Sequence, residues 1–318
     1  MRRRRGAALL VAMLTVTVVA TLAAAALWQQ WRSVEIESAE RTRVQSGWIL
    51  TGALDWARLI LREDTSNVDH LGEPWAVPLQ EARLGTFLAA DPNSNMAAGD
   101  ADNTFLSGEI TDLQSRLNVA SLAGAGVKND ERVESFRRLF ELLGLPAAEL
   151  ARLAENLRFA EDINVDNQNA ARASLPPQRV EQLAWLGVSP QTIAALEPYV
   201  TVLPSNEPRV NLNTAKAEVI YAVGRGISLA DAQRLVTERE RQHFRAVGDE
   251  RKFLPEEGKF EPNGVSVNSQ FFEVRGRLRI DNVVIEERSV VMRTGREVRT
   301  LSRERGAFEA FVPADGRR

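Results

Sequence analysis

From Ala7 to Trp28 the chain runs 22 residues without a charge, and its only polar side chains are the hydroxyls of Thr15, Thr17 and Thr21. Four arginines, Arg2–Arg5, and then Gly6 stand immediately before it. As a helix rising about 1.5 Å per residue the stretch is about 33 Å long, enough to cross a bilayer core of about 30 Å. Threonine hydroxyls bond back to the preceding turn, so three of them are compatible with such a span. The arginine block assigns that end to the cytoplasmic side, which puts the rest of the chain outside the cytoplasm. Three fates fit the stretch taken alone: a secretory signal removed after the small residues Ala23–Ala26, a permanent anchor, or a leader cut at Gly6 that leaves the apolar part in place.

The residues beyond Trp28 weigh against the first of these fates. A removable signal has an apolar core of about 7–15 residues and no use for a longer helix. Here nothing stops the helix: between Gln29 and Arg62 there is no proline, and the only glycines are Gly47 and Gly52. Ile49, Ala53, Trp56 and Ile60 recur at helical spacing with Leu50, Leu54, Ala57 and Leu61 beside them, one broad apolar face. The pattern predicts a single helix over 7–61, about 80 Å long. Its first half suits lipid or neighbouring helices and its second half suits a globular domain.

A basic leader that ends in glycine before a retained apolar helix resembles a class-three signal, the type read by prepilin peptidase. The resemblance implies cleavage between Gly6 and Ala7, with Ala7 as the site of amino-terminal methylation. Pilins and pseudopilins mostly carry Glu at the fifth mature position, thought to pair with the amino terminus of a neighbouring subunit. This chain has Val11 there. A filament position with half of a buried charge pair costs several kcal/mol, so Val11 suits a subunit with nothing stacked above it. Ala7 also replaces the usual Phe, which argues against efficient methylation.

The 318 residues allow one large domain or two ordinary ones plus a tail. Net charge is −3, and four of the positive charges are Arg2–Arg5, so the remainder carries −7. An acidic body argues against broad binding to nucleic acid or to an anionic bilayer surface. The absence of cysteine excludes disulfides, thiol nucleophiles and Cys-ligated metals. Enzyme chemistry finds no foothold: there is no phosphate loop, no Gly-x-Ser-x-Gly elbow and no HExxH, and the two histidines, His70 and His243, have no nucleophile or metal partner at motif spacing. His70 reads as a polar loop residue.

After the long helix, Gly72, Pro74 and Pro78 break the chain around Trp75, which reads as the buried anchor of that loop. Asp91–Asn103 is turn-rich. Ser107–Leu122 reads as a short hairpin, with Ile110 and Thr111 in one strand, a turn at Gln114–Arg116, and Leu117, Val119 and Leu122 returning. Helical pattern then dominates from Asp130 to about Gln242, with Asn213 or Thr214 capping one helix, a turn at Gly224 and Gly226, and Ser228 capping the next. In QFFEVRGRLRI, Phe272, Val274, Leu278 and Ile280 alternate with Glu273, Arg275, Arg277 and Arg279, the pattern of a half-buried antiparallel strand with a solvated arginine row. Asp281–Asn282 turns the chain into a second strand, and REVRTL adds a last one. Helices between two groups of strands predict an α+β fold with an inserted all-helical domain.

The leader with Gly6, the Val11 exception, DHLGEPWA (69–76), GEITDLQSRLNVASL (108–122), VNLNTAKAEVI (210–220) and NSQFFEVRGRLRI resemble, in order and spacing, the K-type minor pseudopilin family of the type II secretion system. The resemblance implies a pilin-like fold, in which the long amino-terminal helix packs on a small antiparallel sheet. It divides the chain into a leader (1–6), a transmembrane part (7–28), a first pilin-like part (29–125), an inserted α-helical domain (126–262), and carboxyl-terminal strands with a tail (263–318). It implies a non-enzymatic subunit at the pseudopilus tip, in the inner membrane as a single pass with its globular part periplasmic. Implied partners are the I-type and J-type minor pseudopilins, prepilin peptidase, the inner-membrane assembly platform, and the secretin and exported substrates.

The family also binds calcium. In the acidic loop EDINVDNQN, Asp162, Asn164 and Asp166 alternate as oxygen ligands for a hard cation would, although the loop lacks the glycine and terminal acid of an EF-hand and reads equally as a solvated turn. Asp91, Asp100 and Asp102 are weaker alternatives. One rival reading remains: VNLNTAKAEVI with Gly224-Arg225-Gly226 resembles a DNA-binding helix-hairpin-helix, although one such motif in an acidic body neutralises few phosphates.

Overall fold

Helix α1 (Arg3–Glu63) continues without a break through 61 residues. The computed structural model describes residues 3–64, 66–88, 103–124, 130–161, 174–280 and 283–306. They fall into two compact units, Met1–Ala53 and Leu54–Arg318. In the first unit, Thr15, Thr17 and Thr21 each donate to a carbonyl of the preceding turn, those of Ala12, Met13 and Val18, at 2.8–2.9 Å. Each hydroxyl is therefore satisfied inside the helix, as a span in hydrocarbon requires. The helix is long and apolar enough to cross a membrane.

In the second unit the end of α1 lies on a five-stranded antiparallel sheet. The strands are β1 (Leu79–Arg83), which leads into a short helix α2 (Leu84–Leu88), β2 (Thr104–Asp112) and three further strands near the carboxyl end. Leu54, Ala57 and Leu61, at helical spacing, are buried with Trp75 and with Phe272, Val274, Val291 and Val298 of the sheet. At roughly 1.5–3 kcal/mol for each large side chain, this contact is worth far more than helix propensity alone.

After β2 the chain enters a mainly helical stretch. Residues 113–115 make one 3-10 turn, β3 (Leu117–Asn118) comes next, and then helices α3 (Glu131–Leu142) and α4 (Ala147–Glu161). Asp130 caps α3 by accepting from the Arg132 amide, and Gly144, at φ +65°, ends it. Beyond lie α5 (Pro190–Leu196), β4 (Val200–Thr201), β5 (Val210–Asn211), α6 (Ala217–Val223), β6 (Gly224–Arg225) and α7 (Leu229–Arg241). Ser228 and Asp231 close a capping box on α7. Phe136, Leu139, Phe140, Leu153, Leu183 and Leu235 lie in the common core of the stretch. Three two-residue ladders tie it together: β3 with β4, β5 with β8 (Val265–Ser266), and β6 with β7 (Lys259–Phe260).

The chain then returns to the sheet as β9 (Phe271–Ile280), β10 (Val283–Thr294) and β11 (Glu297–Gly306), in the order β1-β2-β9-β10-β11. Gly108 on β2 faces Gly276 on β9, and a Cβ at 108 would stand 2.8 Å from the Arg275 carbonyl oxygen. Glycine is what lets these strands close. The mixed α+β fold, with the helix end on an antiparallel sheet and additional helices inserted, is the architecture expected.

Three local readings need correction. Residues 107–122 are not a hairpin: β2 pairs with β1 and β9, whereas Leu117–Asn118 runs parallel to β4. Leu117, Val119 and Leu122 are apolar because the helical core buries them, not because they return along β2. Neither Asn213 nor Thr214 caps α6, whose cap position is Lys216. Nor is the odd face of β9 simply solvated. Phe271 packs on Leu113 and Leu203, and Glu273, 4% exposed, takes Arg275 at 2.6 Å and Arg288 at 3.0 Å. Further along, Arg277 faces Glu286 and Arg279 faces Glu81, so the arginine row is ion-paired within the sheet.

Candidate functional site

Four sequence motifs of the second unit converge on one buried polar node at the neck between sheet and helices. Asp112 ends β2, where the chain leaves the sheet; Ser269 and Gln270 precede β9, where it returns. Asp69 comes from the loop after α1, Asn211 and Thr214 from the helical stretch, and Arg293 from the end of β10. Asp69 and Asn211 are fully buried, and Asp112 and Ser269 nearly so.

Asp112 is the centre. Its Oδ2 accepts from Thr214 Oγ1 at 2.5 Å, Ser269 Oγ at 2.6 Å and Asn211 Nδ2 at 3.2 Å, while Oδ1 accepts the Gln114 amide at 2.7 Å. Burial pushes this carboxyl up from 3.8 to about 6, against the pull of the Ser269, Thr214 and Gln114 bonds. Asn211 Nδ2 also donates to the Asp69 carbonyl at 3.1 Å and to Ser269 Oγ at 2.9 Å. Gln114 Oε1 accepts the Gln270 amide at 2.6 Å, a second stitch between the strand that leaves and the strand that returns.

Arg293 closes the node from the sheet side. It donates to Asp69 Oδ1 at 2.5 Å and to Asp64 Oδ2 at 2.7 Å, and its guanidinium lies 4.9 Å from the centre of the Phe272 ring. Burial alone lowers its pKa, but the two carboxylates outweigh burial and raise it, so the group is held charged. Asp64, Asp69 and Glu73 offer oxygens within 4.8 Å of one another, an arrangement that resembles a cation site. Arg293 already satisfies Asp64 and Asp69, and Glu73 accepts the His70 amide at 2.9 Å and the Trp75 indole N–H at 2.8 Å. The guanidinium fills the role an ion would have.

The hydroxyls of Thr214 and Ser269 both donate to Asp112 and are thereby occupied. The arrangement fastens the helical stretch to the sheet. Asn118 and Asn213 do the same on a smaller scale. Asn118 Oδ1 accepts the Ala120 and Leu203 amides, and Asn213 exchanges two bonds with the Phe244 backbone at 2.9 Å. Trp75 is the buried anchor expected, set edge-on against Phe272. His70 is more than a loop residue: its ring stacks on His243 with centroids 3.9 Å apart and planes 9° from parallel. Lone pairs of imidazole nitrogens lie in the ring plane, so those of two stacked, nearly parallel rings lie in separate parallel planes and do not converge on one metal ion.

The helix-hairpin-helix turn is engaged within the protein. Gly224 and Arg225 pair with β7, and Arg225 faces Glu131 at 3.3 Å and Glu261 at 3.1 Å. In the first unit, Gly6 and Ala7 lie within α1, and Val11 is on the same helix, 59% exposed. Asp162, Asn164 and Asp166 lie outside the described residues, as do Asp91, Asp100 and Asp102. Sequence reasoning singles out the strings that hold Asp69, Asp112, Asn211 and Ser269 but does not reveal that they meet.

Two family models match the chain, both described as type II secretion system (T2SS), protein K, over residues 115–205 and 210–268. Type II secretion system protein K of Pseudomonas aeruginosa is 26% identical, covering 99% of this chain and 97% of that protein. Its namesake in Dickeya chrysanthemi is 27% identical, covering 98% and 99%. The fold is similar to a chain in the crystal structure of the GspK-GspI-GspJ complex from the enterotoxigenic Escherichia coli type 2 secretion system. That likeness has a TM-score of 0.64 and 17% identity, and covers 85% of this chain and 99% of that one.

Proposed function

The chain belongs to the type II secretion system protein K family, and from that premise we propose that it is the minor pseudopilin at the tip of the pseudopilus. There it takes part in starting pseudopilus assembly and in exporting folded proteins across the outer membrane. The observation that carries this reading is α1. One uninterrupted helix is uncharged over its early part and buries Leu54, Ala57 and Leu61 on the sheet at its end. That is a helix meant to be kept, not discarded.

The first six residues are a leader, cut between Gly6 and Ala7 by prepilin peptidase. Until assembly α1 crosses the inner membrane once, its amino end cytoplasmic on the positive-inside rule and the remainder periplasmic. Val11, without the carboxylate that would meet a subunit above, and the helical stretch inserted between β2 and β9 both favour the end of a filament over its shaft. The structural neighbour is named in complex with GspI and GspJ. The I-type and J-type minor pseudopilins are accordingly the proposed partners here, meeting this chain helix to helix through ridges and grooves.

Mass spectrometry of the membrane-extracted protein tests the processing step. A mature chain that begins at Ala7 is the expected result. A start at Met1 makes the protein an ordinary anchored one, and a start near Ala26 makes it soluble; either removes the pseudopilin mechanism.

A further inference from the structure

Trp28 and Trp31 close the uncharged part of α1, one helical turn apart, with ring centroids 5.3 Å from each other and planes tilted by 41°. Both are well exposed, at 66% and 58%. Among the described residues neither indole N–H has a protein partner, in contrast to Trp75, which is buried and donates to Glu73. An indole left so is a large apolar surface with one unspent donor, a group suited to the boundary between hydrocarbon and water.

Their position along the helix is that boundary. The uncharged stretch counts 22 residues through Trp28; Gln29 and Gln30 stand between the two indoles, and Arg32, Glu35 and Glu37 follow them. From Arg5 to Trp28 the helix rises about 35 Å, slightly more than a hydrocarbon core of about 30 Å and less than the full 40–45 Å with headgroups. In the uncleaved chain, with the arginine block in one headgroup layer, the indole pair lies in the other, and Arg32, next to Trp31, reaches the phosphates.

We propose that Trp28 and Trp31 are an interfacial anchor that binds the phospholipid headgroup layer on the side away from Arg2–Arg5, and so sets the depth of α1. The proposal rests on α1 being a membrane span. Phospholipid is the occupant the surroundings favour, because Trp28 ends the apolar stretch directly and Trp31 stands where charge resumes at Arg32.

The test uses the full-length chain reconstituted in phosphatidylcholine–phosphatidylglycerol vesicles containing no other protein. The probe is the fluorescence that disappears when Trp28→Phe and Trp31→Phe are introduced together, two exposed positions that carry no packing. Lipids brominated close to the headgroup are expected to quench that component about two-fold or more strongly than lipids brominated near the chain end, as an interfacial indole requires. A chain retained after alkaline carbonate washing whose component is quenched best by the deep bromines, or by neither lipid because the indoles meet another copy of the helix, overturns the anchor and leaves the span intact. A chain that the wash removes overturns the span, and the anchor with it.

Discussion

Asp112 is held where burial and hydrogen bonding pull in opposite directions, and burial wins, raising the carboxyl from 3.8 to about 6. The folded state therefore binds this proton more tightly than the unfolded state. Its favourable contribution is complete below about pH 3.8 and is lost as pH rises to about 6. His243 acts with the opposite sign. Burial first, then His70 and Arg245, lower its pKa from 6.5 against the opposing pull of Glu73, so its share of stability is complete above pH 6.5 and lost as the pH falls through the folded value. Asp112→Asn should therefore flatten the fall in urea midpoint between about pH 4 and 6 in the detergent-solubilised chain, and His243→Gln should leave that fall in place. An unchanged slope in Asp112→Asn would place the burden elsewhere. Arg293→Met should cost about 3–5 kcal/mol, because it leaves buried Asp69, and half-buried Asp64 beside it, without a counter-charge. Adding Asp69→Asn should recover part of that loss, a coupling that denaturation of the two variants together would measure.

Among the elements, the turn between α6 and α7 shows how a motif can carry a fold instead of a ligand. Gly226 has φ +65°, and a Cβ there would stand 2.8 Å from the Glu257 carbonyl oxygen. Gly144 has the same φ with nothing within 4 Å. Gly144→Ala should cost about 1 kcal/mol for left-handed backbone alone, and Gly226→Ala more, roughly 2–3 kcal/mol, because the backbone must also move. Thermal unfolding ranks the two, and equal losses would mean the turn is not packed on residues 255–259. Elements of this kind were legible where one physical rule dominated. The apolar stripe of α1 and the alternation in β9 each arise from burial on a single face. The α7 cap was legible because Ser228 and Asp231 satisfy each other locally. Leu117, Val119 and Leu122 misled because apolar spacing states that residues are buried but not against what. The node was out of reach for a related reason. Asp69, Asp112, Asn211, Ser269 and Arg293 are polar residues scattered over more than 200 positions, and only the fold makes them neighbours.

For the molecule as a whole, the order of parts carries more meaning than any one of them. A helix with a long uncharged stretch ahead of an end packed on a sheet fits an anchor helix that belongs to the folded subunit. A helical stretch spliced between β2 and β9, fastened at its neck by Asp112 and Gln114, adds bulk on a scaffold that the five strands already complete. Much of this arrangement was legible in the sequence because the apolar run of the long helix, the strand alternation and the motif strings are linear signals. A surface for the proposed partner subunits was not, since exposed helix faces differ little in sequence from faces turned to solvent. The tip position can be read directly by immunogold labelling of pseudopili with antibody against the second unit. A capping subunit gives gold only at filament ends, at most one cluster per filament; gold at regular intervals along the shaft would contradict it.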